Sequence, residues 1–145
     1  MSTKLRNLVN KTFRVIEAKD LVAALDGMTE DVVVIDPHYP LTRMTGKAEV
    51  AYGLGWAFAD IDTFSFDVQK YFFSETGDGV AVEVNCRHVL RVGGEMSFTQ
   101  AFTVEYRDGL LATLTAFEPY GPSGVPGFGL ALAHFFYRLR HRRPR

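Results

Sequence analysis

The apolar positions of this chain change period once, near its middle. In the first segment Leu5, Leu8, Val9, Thr12, Phe13 and Ile16 recur at the i, i+3, i+4, i+7 spacing of one helix face, while Lys4, Asn7, Lys11 and Arg14 occupy the other side. Thr12 is the polar member of that apolar stripe. Asp20 is placed to cap a second, short helix carrying Leu21, Ala24, Leu25 and Met28. Val32-Val33-Val34-Ile35 is β-branched throughout and predicts a short buried strand, ended by Asp36-Pro37 because proline cannot donate to a ladder. Residues 38–45 read as a loop, and 46–59 as a third helix weakened by Gly53 and Gly55.

From residue 64 onward the pattern alternates. Four strand-like runs, 64–73, 79–92, 96–106 and 110–118, are separated by Gly77-Asp78-Gly79, Gly93-Gly94 and Asp108-Gly109. Three successive hairpins make an antiparallel meander. Helices first and a sheet afterwards predict an α+β fold rather than alternating βαβ units.

Strand parity sorts the side chains into two faces. Val80, Val82, Val84, Cys86, His88 and Leu90 share one face of the second run; Phe98, Gln100, Phe102 and Val104 share one face of the third. His88 and Gln100 are thus polar groups on apolar faces, and they are expected to be neighbours. The last run is apolar on both faces, so it calls for cover on both sides. The helices supply one cover and a second copy of the chain is expected to supply the other.

The chain has 145 residues, 47% hydrophobic and 23% charged, which fits one globular domain. There are 12 Phe and one Trp, so a core or pocket rich in phenyl rings is expected. A net charge of −1 argues against a broadly basic nucleic-acid binder, and the lone Cys86 excludes an internal disulfide. The start of the chain lacks the apolar stretch of a secretory signal, and a cytoplasmic protein is the expectation. No His-x-x-x-His pair or carboxylate cluster suggests a metal, and no Gly-rich loop with Lys-Ser/Thr suggests a phosphate; no cofactor is expected.

The charge is unevenly placed. Residues 1–120 hold 11 Lys+Arg and 17 Asp+Glu, a balance of −6, whereas residues 121–145 hold five Arg and no acid. A Gly/Pro linker at 121–129 leads into a basic amphipathic helix and tail at 130–145, which has three readings: contact with an anionic membrane surface, a cap on its own or a partner's pocket, or a solvated end.

Several residues are candidates for chemistry. Asp36 follows four apolar residues, and a partly desolvated carboxylate is a stronger base; the alternative is an ordinary turn aspartate. An inward His88 can shuttle a proton or bond a carbonyl, or sit satisfied in the core. Gln100 can bind a substrate oxygen or pair with His88. Tyr39, Tyr52 and Trp56 are candidates for the entrance or for packing around the third helix. Thr12, Thr113 and Thr115 fit structural roles, their hydroxyls satisfying nearby backbone.

The order helix, helix, strand ending in Asp-Pro, helix, four-strand meander resembles the nuclear transport factor 2-like superfamily, within it the SnoaL-like polyketide cyclases and ketosteroid isomerases. The residues carrying the resemblance are Asp20-Leu21, Thr29 to Pro37, Gly46-Lys47-Ala48-Glu49 and Ala116-Phe117-Glu118-Pro119-Tyr120, and it spans about residues 5–120. It implies a cone at 1–120: helices packed inside a curved, mainly antiparallel sheet around a hydrophobic pocket, with dimerisation through the sheet.

It further implies that Asp36 matches the proton-shuttling base, with no cofactor. The isomerase oxyanion hole, whose tyrosine and protonated aspartate the general chemistry of such sites describes, is matched here by Thr12 and Gln100, so both acidic donors are replaced. The expected pocket therefore has Asp36, His88 and Gln100 as catalytic candidates. Thr12, Tyr39, Tyr52, Trp56, Phe98, Phe102 and Phe117 are expected to line it. The expected ligand is a small hydrophobic molecule. Proton transfer (isomerisation, dehydration or aldol-type cyclisation), binding without chemistry, or a dimeric scaffold for a partner fits this pattern.

Overall fold

A computed structural model describes residues 2–117, 128, 129, 131–133, 135, 136 and 139. Helix α1 (Ser2–Glu17) buries Leu5, Val9, Phe13 and Ile16, the stripe read from the sequence. Helix α2 (Leu21–Asp26) is capped by Asp20, whose Oδ1 accepts the Ala23 N–H at 2.9 Å. Helix α3 (Gly46–Asp60) starts where Glu49 reaches back to accept the Thr45 N–H at 2.6 Å, and it buries Val50, Gly53, Leu54 and Ala57.

The strands are β1 (Met28–Ile35), β2 (Arg43–Thr45), β3 (Ile61–Phe73), β4 (Gly79–Leu90), β5 (Glu95–Arg107) and β6 (Leu110–Phe117). They form one sheet in the order β2-β1-β6-β5-β4-β3, antiparallel except where β1 runs parallel to β6. The meander is as expected. At its last turn Asp108 and Gly109 both have positive φ, 54° and 80°, the backbone twist that a two-residue hairpin needs.

Three expectations need correction. First, β1 begins at Met28, four residues before the β-branched run and where the second helix was expected to continue. Met28 pairs with Leu111 and the Leu111 N–H donates to the Gly27 carbonyl, so tertiary pairing overrides the polar Thr29-Glu30-Asp31. Second, Arg43–Thr45 forms a short edge strand on β1 instead of loop. Third, β6 does not alternate strictly. Its register with β5 slips between Glu105/Thr113 and Tyr106/Leu111, leaving Ala112 as a bulged extra residue. Leu111 and Ala116 are consequently both buried although their numbers differ by five.

Further on, Phe128 and Gly129, and residues 131–133, 135, 136 and 139, are helical. The Glu118-Pro119-Tyr120 motif, residues 121–127 and the remaining tail lie outside the described residues. Among the described residues no helix is long and apolar enough to cross a membrane.

Candidate functional site

A cavity of about 650 Å³ opens inside the sheet. It takes lining residues from α1, α3 and all six strands, which is possible because the sheet wraps around the helices. Its walls are mostly phenyl: Phe13, Phe64, Phe66, Phe98 and Phe102. Phe13 stacks on Phe66 with centroids 4.8 Å apart and meets Phe102 edge-on at 5.4 Å. The volume lies within the roughly 300–1,000 Å³ that encloses a ligand of ordinary drug size.

Asp36 sits at the end of β1 with its side chain 11% exposed. Its Oδ1 accepts the backbone N–H of His38 at 2.9 Å, an Asx turn, and lies 3.0 Å from His38 Nδ1. A carboxylate can only accept, so Nδ1 carries the proton in this contact. Among the described residues Oδ2 accepts from nothing.

Gln100, 3% exposed, reaches the same imidazole from β5, with Nε2 3.3 Å from His38 Nδ1. When Nδ1 donates to Asp36 it has no lone pair for the amide, so the two contacts compete for the same nitrogen. The other end of the amide is held by Cys86, whose Sγ is 3.5 Å from Oε1. Burial, with Asp36's charge adding, pushes the Cys86 thiol up to about 12. It stays an S–H donor, and this orients Oε1 toward β4 and Nε2 toward His38.

His88, 7% exposed, stands among three phenyl rings, Phe64, Phe66 and Phe98, at centroid distances of 5.1, 5.2 and 5.4 Å. Burial lowers its pKa, so the ring is neutral at physiological pH; the Arg87 backbone carbonyl opposes this without reaching hydrogen-bond geometry. Nδ1 is buried with no partner among the described residues. The expected His88–Gln100 pair does not form. His88 is opposite Met96 and Gln100 opposite Val84, four residues out of step along the ladder.

Of the other expected lining residues, Thr12, Tyr39, Trp56, Phe98 and Phe102 face the cavity. Thr12 is committed elsewhere: its hydroxyl donates to the Leu8 carbonyl at 3.0 Å and lies 2.9 Å from the Tyr106 hydroxyl. Tyr39 packs near Trp56 at the rim, and burial followed by Asp36's charge pushes its phenol up, so it is a protonated O–H. Two expectations are corrected. Tyr52 is 64% exposed because it lies off the α3 face formed by Val50, Gly53, Leu54 and Ala57. Phe117 is 51% exposed because it alternates with the buried Ala116.

His38 was the residue that sequence reasoning missed. Aspartate commonly accepts the N–H two residues on, and Asp36-Pro37-His38 carries that spacing, so the signal was present. Among the described residues no group of His, Cys, Asp and Glu could hold a metal ion.

A curled six-stranded sheet around helices, with a phenyl-lined cavity and a carboxylate at its edge, defines a cone-fold pocket protein of the nuclear transport factor 2-like kind. The chain belongs to the SnoaL-like domain family, whose model matches residues 9–114. Among solved structures it is similar to a Δ5-3-ketosteroid isomerase from Mycobacterium sp. (TM-score 0.71, 20% identity, 79% of this chain and 92% of that one). It is also similar to a Mycobacterium tuberculosis protein in complex with estradiol-17β-hemisuccinate (TM-score 0.70, 19% identity, 79% and 92%). A third is a computationally designed 17-OHP binder (TM-score 0.68, 20% identity, 76% and 88%). At these identities the likeness shows the fold alone. No curated protein sequence matches.

Proposed function

We propose that this chain takes a small hydrophobic molecule into the cavity and moves a proton on it, with Asp36 as the base and no cofactor. The observation that carries this reading is the asymmetry of the Asp36 carboxylate. His38 holds Oδ1 twice, while Oδ2 is left open among the described residues in a mostly apolar cavity.

Oδ2 removes a proton from a carbon beside a carbonyl. The C–H electron pair becomes the C=C bond of an enolate, and the negative charge settles on the carbonyl oxygen. The Nε2–H of Gln100 and a ring N–H of His88 are the donors for that oxygen. The proton now on Asp36 completes each outcome: returned to another carbon it gives isomerisation, given to a departing β-hydroxyl it releases water and gives dehydration, and given to the alkoxide formed by attack on a second carbonyl it gives aldol-type cyclisation. His38 acts through Asp36 and is a positioning residue. The steroid ligand and isomerase activity of structural neighbours support the ligand class.

Binding without chemistry is the second reading. It is favoured by Thr12, which occupies the place of an oxyanion donor yet has its hydroxyl engaged by Leu8 and Tyr106. Trp56, the sole tryptophan, lies at the cavity rim and reports occupancy by fluorescence. The test titrates wild type and Asp36→Asn with estradiol, then assays both on β,γ-unsaturated ketones, β-hydroxy ketones and diketones. Proton transfer predicts equal estradiol binding and a turnover loss of about 10²–10⁴-fold in the variant. Binding by both with turnover by neither selects the second reading, and turnover unchanged in Asp36→Asn removes Asp36 as the base.

Pairing of two copies through the sheet belongs to the same proposal, the exposed Phe117 on β6 marking the face to be covered. Sedimentation velocity of Phe117→Ser against wild type tests it: a shift from dimer to monomer is expected, and a wild-type monomer overturns it.

A further inference from the structure

The helix beyond the cone carries an apolar stripe that nothing in the fold covers. Phe128, Leu132, Phe135, Phe136 and Leu139 are 67%, 41%, 55%, 56% and 44% exposed. At about 100° per residue these five side chains fall within an arc of roughly 100°. Phe135 and Phe136 meet edge to face at 5.7 Å, forming the broad part of the stripe.

The sequence around the stripe is basic. Residues 121–145 contain five arginines and no acid. Residues 1–120 carry −6. The cone therefore repels an anionic surface while the tail is drawn to one, and the tail sets which end of the molecule makes contact. The same chain's cone leaves the stripe exposed, so it is not the occupant.

Length separates lying on a membrane from crossing it. Twelve residues, the count from Phe128 to Leu139, measure about 18 Å when helical at 1.5 Å per residue, against a hydrocarbon core of about 30 Å. An exposed phenyl-rich helical stripe within an arginine-rich segment is the pattern of a segment lying in the headgroup boundary. We infer that this helix docks the protein on an anionic lipid surface, its phenyl rings entering the acyl boundary and its arginines meeting lipid phosphates and carboxylates. The inference is independent of what the cavity binds.

The experiment is co-sedimentation of the full chain with vesicles of phosphatidylcholine alone or with about one third phosphatidylserine. Binding is expected with phosphatidylserine and to fall with added salt, because surface attraction is screened. Arg138→Gln with Arg140→Gln is expected to lower partitioning about twenty-five-fold, near fivefold per arginine, and Phe135→Ser with Phe136→Ser is expected to abolish it. Thermal midpoints should match wild type, since these residues lie outside the cone. Absence of binding, equal binding to both vesicles, or insensitivity to both variants overturns the inference. So does a change of oligomeric state in the phenylalanine variant without any vesicle effect, which would assign the stripe to a second copy.

Discussion

Cys86 and Gln100 lie diagonally across neighbouring strands on the inward face, with the thiol 3.5 Å from the amide oxygen. A protonated thiol is a weak donor, yet it fixes which end of the amide points at His38. Cys86→Val removes the donor while keeping the volume. Under the proton-transfer reading, kcat falls about threefold to tenfold, the worth of one modest hydrogen bond, with stability little changed. Cys86→Ser, which keeps a donor, should restore most of the loss. Equal kinetics in both variants would remove Cys86 from the site.

His88 makes stability depend on pH in a definite direction. Burial depresses its folded pKa below the ordinary 6.5. Below about 6.5 the unfolded chain binds a proton there that the folded chain refuses, so stability is present above that pH and is lost as pH falls through the depressed value. His88→Phe suits the phenyl surroundings and removes this proton. Thermal melts between neutral and mildly acid pH should show a shallower decline for the variant. Parallel declines would mean that position 88 does not titrate differently on unfolding.

Gly53 of α3 faces Met44 on β2 and Tyr39 in the β1–β2 connection. A Cβ there would collide with Met44 Sδ and stand 3.1 Å from Tyr39 Cδ1, and Met44 is 0% exposed with little space to yield. Gly53→Ala gains about 1 kcal/mol of helix propensity and meets an overpacking penalty of about 1–3 kcal/mol. A lower thermal midpoint and a perturbed Trp56 signal are expected. A raised midpoint would show that Met44 can move aside.

Thr12 and Tyr106 share a hydroxyl contact at 2.9 Å, and burial pushes the phenol up to about 12. Thr12→Val and Tyr106→Phe should each cost about 1 kcal/mol. Together they should cost less than the sum, because the first substitution already breaks the pair. Turnover should be unaffected by Thr12→Val. A selective kinetic defect with full additivity in stability would return Thr12 to the substrate.

Much of this architecture was written locally. The α1 stripe, the Asp20 cap and the glycine-marked hairpins each act over a few residues, so periodicity and turn chemistry reveal them. What escaped depends on distant partners. Met28 joins β1 because Leu111 pairs with it, and Ala112 bulges because β5 and β6 differ by a residue. Phe117, expected to line the pocket, turns outward because its neighbour Ala116 takes the inward face. Within the site, the inward faces of His88 and Gln100 were readable from alternation. Their separation was not, since it follows from the register of β4 on β5.

The parallel pairing of β1 with β6 also bears on how the chain reaches this state. Val34 and Leu114 are partners at opposite ends of the domain's sequence. As the polypeptide leaves the ribosome, β1 waits for the final strand, and loop closure of that length slows folding. Until then Val32 and Val34 lack their lasting cover, so the newborn chain depends on this late closure to escape aggregation.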